Sequence, residues 1–363
     1  MSRWRSHPDR GISLIETMIA SAIFLATAMV LFQFAARGQR LARSQPDATD
    51  QHQRLRVAAG MLRRDLLNAG AGMFHGVTGG PLVDYLAPIV PARTGARTPD
   101  PENSWFPDRI SILYVPAGGW HARLVVDMTD PAADVPLDAG SPGCPTAGLC
   151  GFAPGSRAIL IDSSGLGAGY SLFSVTGTTG GLAHGSPNPP FGRAYPSASS
   201  VVMPIVHRIY YLDRSSRRLM FYDGYQTDVP LVDGVVDLRF GYFADPMPDS
   251  VREPADGDEN CVYRAGDPPV PLLEYLGGRS PAALPPARMI DGPICGVSPH
   301  RFDGDLLRIR RVVVTIRLEV SADYLRGSGA SFAREGNSPD GDSYVRDYEI
   351  TFDVSPRNMV PRR

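Results

Sequence analysis

From Ile12 to Ala36 the chain runs for 25 residues with a single ionisable side chain, Glu16. About 20 apolar residues at 1.5 Å each suffice to cross a bilayer as a helix. A secretory signal has an apolar core of only about 7–15 residues. Ala26-Thr27-Ala28 offers the small-x-small pattern of such a signal, but the apolar run continues through Met29, Val30, Leu31 and Phe32. A carboxylate inside a bilayer costs roughly 2.5–3.5 kcal/mol on insertion scales, so Glu16 calls for a partner and a job. The short leader carries Arg3, Arg5 and Arg10, which favour a cytoplasmic N-terminus; Arg37, Arg40 and Arg43 on the far side weaken that argument.

Gly11-Ile12-Ser13-Leu14-Ile15-Glu16 resembles the cleavage site of type IV prepilins and of the pseudopilins of type II secretion. The resemblance implies that Gly11 ends a leader (residues 1–11) removed by a prepilin peptidase. Ile12 then becomes an N-methylated N-terminus, and Glu16 occupies the fifth mature position. Ile12 stands where the family prefers Phe, and Ser13 where it often has Thr. The implied assembly chemistry is an attraction between the new amine at Ile12 of one subunit and Glu16 of its neighbour, weakly screened in an apolar surround. The resemblance also places the chain in the bacterial inner membrane, with its bulk in the periplasm. Its implied partners are other pilin subunits, the prepilin peptidase and an inner-membrane assembly platform.

The 363 residues are 43% hydrophobic, enough for a membrane helix and a sizeable globular domain. The net charge is −2 and every basic residue is Arg. Nothing is basic enough to expect nucleic-acid binding through phosphate contacts. Four cysteines, Cys144, Cys150, Cys261 and Cys295, lie in the part expected in the periplasm. An even count in an oxidising compartment suggests two disulfides. Proximity favours Cys144–Cys150 and Cys261–Cys295 among three pairings. A zinc site is the weaker reading, since there is no C-x-x-C pair and no His at ligand spacing.

The expected fold is α+β and pilin-like: a long N-terminal helix, membrane-spanning in its first half (12–36), packed on an antiparallel β-sheet domain. An amphipathic helix over 37–72 follows the span, interrupted or kinked at Pro46. Leu55, Ala59, Leu62, Leu66 and Ala69 mark its apolar face, with Arg63, Arg64 and Asp65 on the other sides. Residues 73–363 read as the β domain, with Pro/Gly-rich insertions at about 73–156 and 244–303. Strands are expected at Ile110–Val115, Arg123–Met128, Arg157–Asp162, Ser171–Thr176 and Leu231–Phe243. Val201–Asp213 and Arg217–Asp223 form the clearest hairpin. Val312, Val314, Ile316, Leu318 and Val320 alternate with polar residues, as do Tyr348, Ile350, Phe352 and Val354, so both segments read as antiparallel strands with one wet face. Arg64 to Gly70, the phrase around Gly234 and the closing Arg357-Asn358 resemble PilW-type minor pilins and J-type minor pseudopilins.

No catalytic constellation stands out, and the reading is not an enzyme. There is no P-loop and no G-x-S-x-G. Gly165 to Gly169 reads as a hairpin turn, and His207 as structural. No metal is assigned. Asp256-Gly257-Asp258-Glu259-Asn260, Asp303-Gly304-Asp305 and Asp340-Gly341-Asp342 carry the oxygen donors Ca²⁺ takes, in no EF-hand order. The functional expectation is a minor pilin or pseudopilin that primes or caps a type IV pilus-like filament. The alternatives are a J-type subunit of a secretion pseudopilus or a pilus-tip adhesin using Trp105 and Trp120. The retained Glu16 argues against the K-type tip subunit.

Overall fold

The computed structural model describes all residues except 1–10, 74–81, 96–97, 117–120, 142–143, 145–148, 163–168, 186–189, 225–227, 249–250, 252, 255–258, 297, 299, 338–343 and 360–363. One helix, α1, spans Leu14–Asn68 and contains Pro46. The expected break at Pro46 does not occur. A proline removes one intrahelical donor and crowds one carbonyl; here the turns on either side stay helical, so the chain is not interrupted there. Gly70 and Gly72, both with positive φ, follow the helix.

The chain divides into two compact units, residues 1–52 with 320–347, and residues 53–319 with 348–363. The first holds the apolar part of α1 and a small core of Val320, Leu325 and Val345 with Ala48 and Ala322. Val320 belongs to this core and not to the strand before it, which ends at Leu318. Arg326, fully buried, donates to the Val320 carbonyl at 3.0 Å and pairs with Asp323.

The second unit contains three larger antiparallel sheets. Sheet A runs in the order 89–90, 109–114, 206–213, 218–222, 229–233; sheet B in the order 122–123, 200–204, 157–162, 169–174; sheet C in the order 282–283, 235–244, 309–318, 348–354. Two segments read as single strands each serve two sheets. The chain leaves sheet B at Pro204 and enters sheet A at Val206, with only Ile205 between. It leaves sheet A at Asp233 and enters sheet C at Val235. Gly234 makes the second switch possible: its φ is +75°, and a Cβ there would lie 2.9 Å from the Glu319 carbonyl. Of the expected 123–128 strand only Arg123 is regular, in the strand Ala122–Arg123; Leu124 and Met128 make single bridges to Leu137 and Tyr195.

Period-two alternation splits strand 157–162 between two cores. Ile159 and Ile161 join the main core, while Ala158 and Leu160 face a second one with Phe173, Phe191 and Tyr195. The C-terminal part of α1 supplies Leu55, Ala58, Leu62 and Leu66 to the main core, and Ala69 follows just past the helix end. Ala58, not Ala59, completes that stripe. Both Pro/Gly-rich regions contribute to the main core. Leu82, Leu86 and Ile89 from the first, and Tyr263, Leu273 and Phe302 from the second, are core residues. Irregular backbone can be packed when its apolar side chains are spaced to reach the core, a pattern that no helix or strand period exposes.

Candidate functional site

α1 begins with a reciprocal cap. The Ser13 hydroxyl accepts from the Ile15 N–H at 3.3 Å, and the Glu16 carboxylate accepts from the Ser13 N–H at 3.0 Å. Ser-x-x-Glu at a helix start satisfies two donors that the first turn would otherwise leave open. It also sets a negative charge at the positive end of the helix dipole, an effect of about 0.3–1 kcal/mol. Sequence reading assigned Glu16 to intersubunit pairing and missed this cap; the spacing Ser13-Leu14-Ile15-Glu16 was the signal. Gly11 and Ile12 precede the helix, exposed and non-helical, so the peptide bond between them lies in accessible chain. Residues 1–10 of the expected leader, with Arg3, Arg5 and Arg10, lie outside the described residues.

Beyond the cap, Leu14–Ala36 is a 23-residue helical stretch long and apolar enough to cross a membrane, with none of it buried within the chain. Its large apolar side chains are between 55% (Ile19) and 78% (Phe34) exposed. The hydroxyl of Thr17 donates to the Leu14 carbonyl at 2.8 Å, and that of Thr27 to the Ile23 carbonyl at 2.9 Å. Both hydroxyls are therefore satisfied within the helix, as an apolar solvent requires.

Farther along the same helix, Asp65 is 1% exposed, not on the wet side where its charge suggested. It accepts from the Tyr210 hydroxyl of sheet A at 2.6 Å and meets Arg64 Nε at 3.4 Å. Burial and the Asp65 charge push the Tyr210 phenol well above its ordinary range, and Tyr114 is raised for the same two reasons. This pair ties α1 to the sheet.

All four cysteines are paired, Cys144 to Cys150 and Cys261 to Cys295, with Cα–Cα distances of 4.8 and 5.1 Å. Cys150 sits in the second core and Cys295 in the main one.

Of the three acidic clusters, Asp340-Gly341-Asp342 and residues 256–258 of the first lie outside the described residues; in the rest of the first, Asn260 accepts from the Val262 and Tyr263 N–H groups at 2.9 Å. The third gains Asp291: carboxylate oxygens of Asp291, Asp303 and Asp305 lie within 4.8 Å of one another. Their charges already have protein partners. Asp303 accepts from the Asp305 N–H at 2.9 Å and the Gly292 N–H at 2.6 Å. Buried Arg308 pairs with Asp305, and Asp291 pairs with Arg288. Burial, opposed by Arg308, raises Asp305 to about 7. An arginine inside the cluster supplies the positive charge that a cation would bring, so the group reads as a structural ion cluster.

His207 is fully buried, 3.1 Å from the Thr94 hydroxyl, and burial lowers its pKa well below the ordinary value. Trp105 is partly buried against the main core, and Trp120 lies outside the described residues, as does the Gly165–Ala168 stretch.

Comparison of the chain with protein-family models, with curated proteins and with solved structures finds no match. What the fold defines is an α+β chain with one N-terminal apolar helix of membrane-crossing length and an antiparallel, disulfide-bonded β domain.

Proposed function

We propose that this chain is a pilin-type subunit, a minor pilin or minor pseudopilin cleaved after Gly11, anchored in the inner membrane through α1 and assembled into a type IV pilus-like filament. The observation that carries the proposal is the lone Glu16 on an unburied 23-residue span, next to an accessible Gly11–Ile12 bond. An apolar surface this long needs lipid or other helices around it. Trimming at Gly11 creates a cation one residue from Ser13, at the helix end where Glu16 already sits. In lipid that carboxylate favours any arrangement that brings a neighbour's amine to it. A retractile pilus and a secretion pseudopilus share this N-terminal chemistry, and the proposal covers both.

The Ser13–Glu16 cap favours one second reading, a plain single-pass anchor in which Glu16 only finishes the helix. Two substitutions separate them. Glu16→Gln keeps an oxygen that accepts from Ser13 N–H but removes the charge; Glu16→Ala removes both. The filament reading expects both variants to be trimmed to Ile12, by mass spectrometry, and both to be depleted from sheared filaments. Full incorporation of Glu16→Gln, or a wild-type chain that retains residues 1–11, rejects it.

A further inference from the structure

The edges of the three larger sheets are unequal. In sheet A one edge is the two-residue strand 89–90 and the other, Val229–Asp233, contains Pro230. In sheet B one edge is two residues long and the other, Gly169–Ser174, is largely buried. The 235–244 side of sheet C is met by Ala282–Ala283 and by the Pro107 carbonyl, which accepts from the Phe240 N–H at 2.8 Å. The remaining edge strand, Tyr348–Val354, is seven residues long, free of proline, and last in its sheet beside 309–318. Among the described residues, no backbone hydrogen bond reaches the outer side of residues 349–354.

Its side chains say what it would accept. Register aligns Asp237, Arg317 and Glu349 in one row across the wet face of sheet C, so charge alternates strand by strand and ends on an acid. The next row ends in Thr315 and Thr351, whose hydroxyls lie 3.0 Å apart, and the one after ends on Asp353. Glu349, Thr351 and Asp353 are exposed; Ile350 and Phe352, on the opposite face, are half-buried. A second copy of this strand is a poor occupant. Antiparallel pairing centred on Thr351 sets Glu349 against Asp353, and a one-residue slip sets acids against apolar side chains.

We propose that the Glu349–Val354 edge is a β-augmentation site for an extended segment of a different polypeptide, with Arg or Lys at alternate positions on one face and apolar side chains on the other. Main-chain hydrogen bonds supply affinity, and the acid pair selects a basic partner while excluding self-pairing. The proposal rests on sheet register alone and is independent of the filament reading.

The test uses the full chain in detergent micelles and two seven-residue probes, one alternating Arg with Val, the other alternating Glu with Val. The Arg–Val peptide should bind saturably and slow amide exchange across residues 348–354 by about tenfold or more. The Glu–Val peptide should do neither. Doubly substituted Glu349→Arg/Asp353→Arg should reverse the preference; Glu349→Gln/Asp353→Asn, a milder change, should weaken Arg–Val binding. Protection elsewhere in the chain, equal binding of both peptides, indifference to both variants, or no binding overturns the proposal.

Discussion

The first and last thirds of α1 are built for different surroundings. From Leu14 to Ala36 apolar residues cover every face, and the large apolar side chains are exposed among the described residues. From Leu55 to Ala69 one stripe is buried and the flanks carry Arg56, Arg63 and Arg64. A helix apolar all round is matched to lipid or to neighbouring helices, and a one-sided helix to a single sheet and water. The same 55-residue helix therefore holds two kinds of stability. Only the C-terminal kind is contained in this chain.

The largest expected effect breaks that comparison most directly. Leu62→Ala should destabilise the β domain by about 2–5 kcal/mol, the usual cost of a buried leucine cavity, read as a drop in urea midpoint. Leu25→Ala should leave the midpoint unmoved, because nothing in the domain loses a contact. Equal shifts would mean the two parts of α1 do the same work. A smaller effect tests the polar tie. Tyr210→Phe removes the donor to Asp65 and leaves a buried carboxylate short of one hydrogen bond, costing about 1–3 kcal/mol in the same melt. A shift below experimental error would show that Asp65 is served well enough by Arg64. The smallest effect sharpens the comparison from the wet side. Gly60 is exposed in mid-helix with open space around a Cβ, so Gly60→Ala should raise stability by about 0.5–1 kcal/mol. A loss instead would mean that this face is covered.

Both ends of the comparison were partly legible. The apolar run, its lone carboxylate and the Leu62–Leu66 stripe follow from residue type and a 3.6-residue period. Strands 309–318 and 348–354 follow from a period of two, while the register that sets Arg317 opposite Glu349 came only with the structure. Asp65 was misplaced because a charge next to an arginine reads as solvated until a tyrosine 145 positions later closes over it. Pro46 was expected to kink or interrupt the helix, and the helix is not interrupted there. Segments 201–213 and 231–243 read as continuous, since only the third dimension shows that Ile205 and Gly234 hand the chain from one sheet to another. The core residues of 82–92 and 262–302 kept no period at all.

Local chemistry alone settled the membrane-length span, the Ser13–Glu16 spacing, the even cysteine count and the alternation of the last strands, because each needs only neighbours within a turn or a pleat. Tertiary structure decided which cysteines meet, which face of α1 hides Asp65, where strands change sheets and which sheet edge stays open. Those outcomes turn on contacts between segments far apart in sequence, and no local pattern carries the energy of a partner that arrives only on folding.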